Sequence, residues 1–186
     1  MDRRTLLAAL ADYRARHPDE HLVVERFVAL LRDEPRCFER DAFEPGHVTG
    51  SAWLVDRAGE RVLLTHHKKL GRWLQLGGHA DGDEDVLRVA LREAAEESSL
   101  AVAPVDTALF DVDVHEIPAR GADPRHCHFD VRFALEAIGG DSFRVSRESH
   151  ALRWVAIDAL QTLTQEASML RMARKWRRRH TRRTSR

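Results

Sequence analysis

Between Asp85 and Ser98 the chain reads Asp-Val-Leu-Arg-Val-Ala-Leu-Arg-Glu-Ala-Ala-Glu-Glu-Ser, rich in Ala, Leu, Glu and Arg. These residues favour a helix, and that helix constrains the rest of the fold. At about 100° per residue, Glu93, Glu96 and Glu97 fall within an arc of about 100°. Glu93 and Glu97 repel as an i,i+4 pair. A solvated face held by Glu84–Arg88 and Arg92–Glu96 pairs is the simplest use of such a helix. The helical wheel argues otherwise, because Asp85, Arg88 and Arg92 mark the wet side while Glu93 and Glu97 share the side of Val86, Val89 and Ala90. Two carboxylates turned toward protein need a cation, and clustered hard oxygen donors suit Mg²⁺ or Mn²⁺.

The surrounding chain predicts one α/β domain with a mixed sheet between helices. Leu6, Leu7, Leu10 and Tyr13 set a helix over 5–16 that Pro18 stops, and Val23, Phe27, Leu30 and Leu31 set another over 20–32. Strands are predicted at 51–56 and 61–66, then at 106–115 and 126–138. Residues 67–83 read as loop. A last helix capped by Asp158 or Thr164 is predicted to run to about Arg178.

Charge is balanced overall, 30 acidic against 30 basic residues, but residues 171–186 hold eight Arg and one Lys with no carboxylate. This excludes a uniformly basic nucleic-acid binder. A nucleic-acid contact is disfavoured, although the basic tail leaves it open; a frayed, solvated helix end is the preferred reading of that tail. No apolar run reaches the roughly 18 residues of a membrane span. Two cysteines, Cys37 and Cys127, form no metal-pair spacing or disulfide framework, and a reduced cytoplasmic setting is expected.

From Gly78 to Leu100 the chain resembles the Nudix signature, G-x5-E-x7-R-E-U-x-E-E-x-G-U with U bulky and aliphatic. Gly78, Glu84, Arg92, Glu93, Glu96 and Glu97 stand at its informative positions, and Leu100 at its last. Ala94 is smaller than usual, and Ser99 replaces the expected glycine. The resemblance implies a Nudix-like α/β/α sandwich that hydrolyses a diphosphate linkage, usually in a nucleoside diphosphate joined to another group. It also implies Mg²⁺ or Mn²⁺ held by Glu93, Glu96, Glu97 and the Gly78 carbonyl, with Arg92 orienting Glu93 and Glu84 bracing the loop. Expected boundaries are a helical extension at 1–46, the hydrolase domain at 47–170 and the basic tail at 171–186. A small phosphorylated substrate is the expected partner, and a homodimer is left open. The alternatives are a non-catalytic nucleotide sensor or nucleic-acid-binding regulator, and an isomerase of isopentenyl diphosphate. The last would need a cysteine near Gly77 or Gly78.

Outside the signature, Lys68, Lys69 and Arg72 are candidate phosphate contacts. Asp111, Asp113 and His115 alternate, as do His126, His128 and Asp130, so each trio shares a strand face. One antiparallel register sets His115 beside His126, Asp113 beside His128 and Asp111 beside Asp130. His126, His128 and Asp130 are then expected to contact substrate or a second metal, against the simpler reading of exposed cross-strand pairs. Glu148 precedes a strand at 152–155 and is a weaker candidate, and Trp154 is expected in the core.

Overall fold

A computed structural model describes residues 1–68, 71–145 and 149–184; Lys69 and Glu148 lie outside the described residues. The chain divides into two compact units. The first comprises Met1–Ser51, Gly77–Ala90 and Thr107–Phe133, and the second Ala52–Leu76, Leu91–Asp106 and Ala134–Arg186. Four α-helices run over Arg3–Arg16 (α1), His21–Asp33 (α2), Val86–Ser98 (α3) and Ala167–Thr184 (α4). Eight strands cover Gly46–Val55 (β1), Arg61–His67 (β2), Arg72–Leu74 (β3), Leu76–His79 (β4), Val102–Pro104 (β5), Asp111–Ile117 (β6), His126–Ala137 (β7) and Ser149–Ala156 (β8). They form one sheet in which β3, β2, β1, β7 and β5 are successive neighbours, with β4 paired to β1, β6 to β7 and β8 to β2.

In the first unit, α1 starts at Asp2, whose carboxylate accepts from the Thr5 amide at 2.8 Å, the usual way to satisfy a free N-terminal donor. Leu6, Leu10 and Tyr13 are fully buried on one stripe, and α2 answers with Val24, Phe27, Leu30 and Leu31. Phe27 meets Phe129 edge-on at 5.3 Å, a favoured aromatic geometry. The end of α2 leaves carbonyls without helical partners. Arg3 supplies donors there, to Leu31 O at 2.6 Å, Glu34 O at 3.0 Å and Pro35 O at 2.6 Å. Its amide also donates to Glu84 at 3.1 Å. The N-terminal helix is thereby tied to the loop ahead of α3.

Gly50 of β1 permits the close approach of α3: a Cβ there would lie 2.9 Å from both the Val86 carbonyl and a Val89 methyl. Gly77 has φ of +156°, and a Cβ would press to 2.3 Å from Ser51 Oγ, so any side chain there is excluded.

In the second unit, β2 pairs antiparallel with β8 and β3, and β5 with β7 through Val102–Ala137. The turn after β1 is organised by Asp56, which accepts from the amides of Glu60 at 2.9 Å and Arg61 at 3.1 Å. The last helix differs from the sequence expectation. A 3-10 stretch at Ile157–Thr162 comes first, Thr164 Oγ1 accepts from the Glu166 amide, and α4 begins only at Ala167. Nor is its basic end merely solvated. Met169, Met172, Ala173 and Trp176 are buried, and Trp176 Nε1 donates to Gly59 O at 2.8 Å. Arg177 pairs with Asp158 at 2.6 Å, and Arg179 pairs with Asp106. Trp154 is only half-buried, its indole donating to Asp141 O with the Arg61 guanidinium 5.5 Å above the ring. Among the described residues, no helix is long and apolar enough to cross a membrane.

Candidate active site

The α3 helix distributes its side chains as the wheel requires. Val86, Val89, Ala90, Ala94 and Ser98 are buried. Glu93 and Glu97 are half-buried beside that face, and Glu96 is exposed. The small Ala94 is fully enclosed, so its departure from a bulky aliphatic residue is accommodated by packing. Arg92 holds Glu93, its Nη2 donating to Oε1 at 2.9 Å and its Nε at 3.3 Å. A charge-assisted bond of this kind fixes the carboxylate. Ser99 ends the helix at φ +60°. That backbone favours glycine and costs a serine about 1 kcal/mol, yet the helix end closes, with the Ser99 amide donating to Ala95 O at 2.7 Å. Ser98 Oγ accepts from the Leu100 amide at 3.2 Å.

Of the remaining motif residues, Gly78 lies in β4, and Glu84 accepts from the Arg3 amide while its carboxylate lies 3.9 Å from the Arg3 guanidinium. Lys68 is exposed just after β2. Arg72 opens β3, where it pairs with Glu166 at 2.9 Å. Both partners are well exposed, which makes this a weak ion pair.

The other polar site residues meet in the first unit. The β6–β7 register is two residues away from the sequence expectation: His115 faces His128, Asp113 faces Asp130, Asp111 faces Arg132, and Ile117 faces His126. A slip of two keeps every side chain on its face, so alternation alone is blind to it. Charge decides the alignment. Arg132, 2% exposed, donates to Asp130 at 2.7 Å, Asp111 at 3.0 Å and Asp113 at 3.2 Å. Burial would lower its pKa, but the three carboxylates raise it above the ordinary value. Asp130 also accepts from Thr49 Oγ1 at 2.9 Å and Ser51 Oγ at 2.6 Å. At 1% exposure, Asp130 is the counter-ion of Arg132 rather than an open substrate contact.

His126 and His128 join three histidines on other strands. Ring centroids of His47 lie 5.0 Å from His126, 4.8 Å from His128 and 5.2 Å from His79. His115 lies 5.5 Å from His128. The sequence reading missed His47 and His79. The signal for His47 was the alternation His47-Thr49-Ser51 at the start of β1, which marks one polar strand face. Cys37 is fully enclosed and burial pushes its thiol up to about 11, while Cys127 lies on β7, 3.8 Å from an Arg26 nitrogen.

A family model described as the NUDIX domain matches residues 45–176. The chain belongs to the Nudix family. Its Nudix box is the Gly78–Leu100 segment, and it is a hydrolase of phosphoric anhydride bonds with the family's α/β fold. Among solved structures, the MutT NUDIX hydrolase from Burkholderia pseudomallei is 28% identical, with a TM-score of 0.52 over 67% of this chain and 94% of that one. The MutT protein from Methanosarcina mazei Go1 is 19% identical, with a TM-score of 0.58 over 71% and 93%. A C. elegans Ap4A hydrolase binary complex is 18% identical, with a TM-score of 0.56 over 69% and 93%. No curated protein matches the chain.

Proposed function

We propose that this Nudix hydrolase cleaves a diphosphate linkage in a nucleoside diphosphate joined to another group, in a reaction that depends on Mg²⁺ or Mn²⁺. The observation that carries the reading is α3 itself. Three carboxylates share one helix arc, two of them half-buried, and one is held by Arg92. Their hard oxygen donors fit a small divalent cation. In this reading Glu93, Glu96 and Glu97, with the Gly78 carbonyl, hold the ion, which when bound neutralises phosphoryl charge and activates water. Arg92 keeps Glu93 oriented, and Glu84, tied to Arg3, braces the loop ahead of the helix. Lys68, Lys69 and Arg72 supply cations for the substrate phosphates. The two reduced cysteines suit a cytoplasmic setting.

The test has two arms. The purified protein with Mg²⁺ is offered nucleoside triphosphates, ADP-ribose, dinucleoside polyphosphates, NADH, CoA and nucleotide sugars, and release of phosphate or nucleoside monophosphate names the substrate class. Glu97→Gln is expected to lose about 100-fold or more of that turnover, a typical scale for disturbing a metal site, with unchanged circular dichroism. Wild-type turnover in the variant removes the ligand assignment.

A further inference from the structure

We propose that His47, His126 and His128 form a binding site for a late first-row divalent metal, for which Zn²⁺ is the natural probe. His47 stands near the start of β1 and the other two near the start of β7, its neighbour in the sheet. One ring nitrogen from each lies within 4.8 Å of those offered by the other two. Tetrahedral zinc with bonds of about 2.0–2.1 Å needs nitrogens about 3.4 Å apart. Contraction to that spacing moves each nitrogen by roughly 1 Å, within reach of small rotations about χ1 and χ2.

The wiring of the rings favours ligation. Nδ1 of His47 lies 3.2 Å from Ala42 O, and Nδ1 of His126 lies 2.8 Å from Pro124 O. A carbonyl partner requires the proton on Nδ1, which leaves the Nε2 lone pair free to bind metal and orients the ring. Among the described residues, Nε2 of His47 and of His128 are both buried with no hydrogen-bond partner. An unsatisfied buried acceptor costs about 1–3 kcal/mol, and one ion would satisfy both. His47 is 1% exposed, so bulk water does not reach the ring freely.

Protonation offers no other escape. Burial, reinforced by the neighbouring imidazoles, pushes His128 down to about 2 and also lowers His47. The neutral, ligating form is the one the fold maintains. An all-imidazole set selects zinc, cobalt, nickel or copper over magnesium and calcium, in contrast to the oxygen donors of α3.

The experiment uses the full chain, freed of metal with a chelator and then titrated with Zn²⁺ against a chromophoric competitor. One tightly bound equivalent is expected, and X-ray absorption should find at least three imidazole nitrogens at about 2.0–2.1 Å. A His47→Ala/His128→Ala double variant should lose that affinity by about 100-fold or more, whereas Glu97→Gln should keep it. If wild type takes up no Zn²⁺ at micromolar concentration, if its ion shows only oxygen neighbours, or if the double variant binds as before, the site is not there. Should the double variant fail to fold, the absorption spectrum of the wild-type complex decides by itself. None of these readouts requires hydrolysis, so the outcome is independent of the function proposed for α3.

Discussion

Arg132 brings a full charge to a position that is 2% exposed, and three aspartates answer it. Replacing it with a methionine of similar length keeps the packing but strands three carboxylates around an apolar group. Breaking a buried ion cluster from one side costs about 3–5 kcal/mol. Arg132→Met is therefore expected to lower the unfolding free energy from urea titration by that amount, through a lower midpoint with little change in slope, and a loss below about 1 kcal/mol would remove the argument. Nothing in the sequence marks this arginine among 27. Its role depends on which residues face it across the hairpin, information that a period-two pattern does not contain. The box residues are the opposite case. Glu93 and Glu97 were legible because their setting is fixed by one helix, whose geometry follows from residue spacing alone.

At the scale of elements, the long ones were readable and the short ones were not. α1, α2 and α3 each begin or end within two residues of the expected positions, since a stripe of buried leucines or valines repeats over three turns or more. β3, β4 and β5 are three or four residues long, too short to display a period, and β4 hides two glycines in a segment that reads as loop. The β1–β2 turn supplies a prediction at this scale. Burial would raise the pKa of Asp56, but bonds from the Arg61 side chain, the Arg61 amide and the Glu60 amide together bring it below the usual 3.8. A depressed carboxylate stabilises the fold above its unfolded pKa, and this contribution disappears as pH falls through the folded value. Asp56→Asn should thus lower Tm at about pH 7, and the gap to wild type should close as pH approaches 3. An equal gap at both ends of a pH series of thermal melts would refute the assignment.

For the molecule as a whole, the fold class and the order of the long elements were legible, and so was the family. The imidazole cluster was not, because His47 and His79 lie about 30 to 80 residues from their partners and only the sheet brings them together. The Arg-rich end likewise reads as solvent-facing by composition, while its three buried apolar residues, Met172, Ala173 and Trp176, make it part of the second unit's core. Trp176→Ala, which removes a buried indole and its bond to Gly59, should cost about 3–5 kcal/mol. A differential scanning measurement with unchanged Tm would return the segment to the status of a loose end. The β6–β7 hairpin has one more consequence, which concerns errors in folding. A nascent chain that zips this hairpin with Asp111 opposite Asp130, two residues out of step, still places greasy and polar groups on their proper sides, but Leu109 then stands opposite Arg132. Burying the guanidinium opposite a leucine forfeits the carboxylate that faces it in the native alignment, which makes that slip costly. Asp111 thereby acts as a proofreader against it.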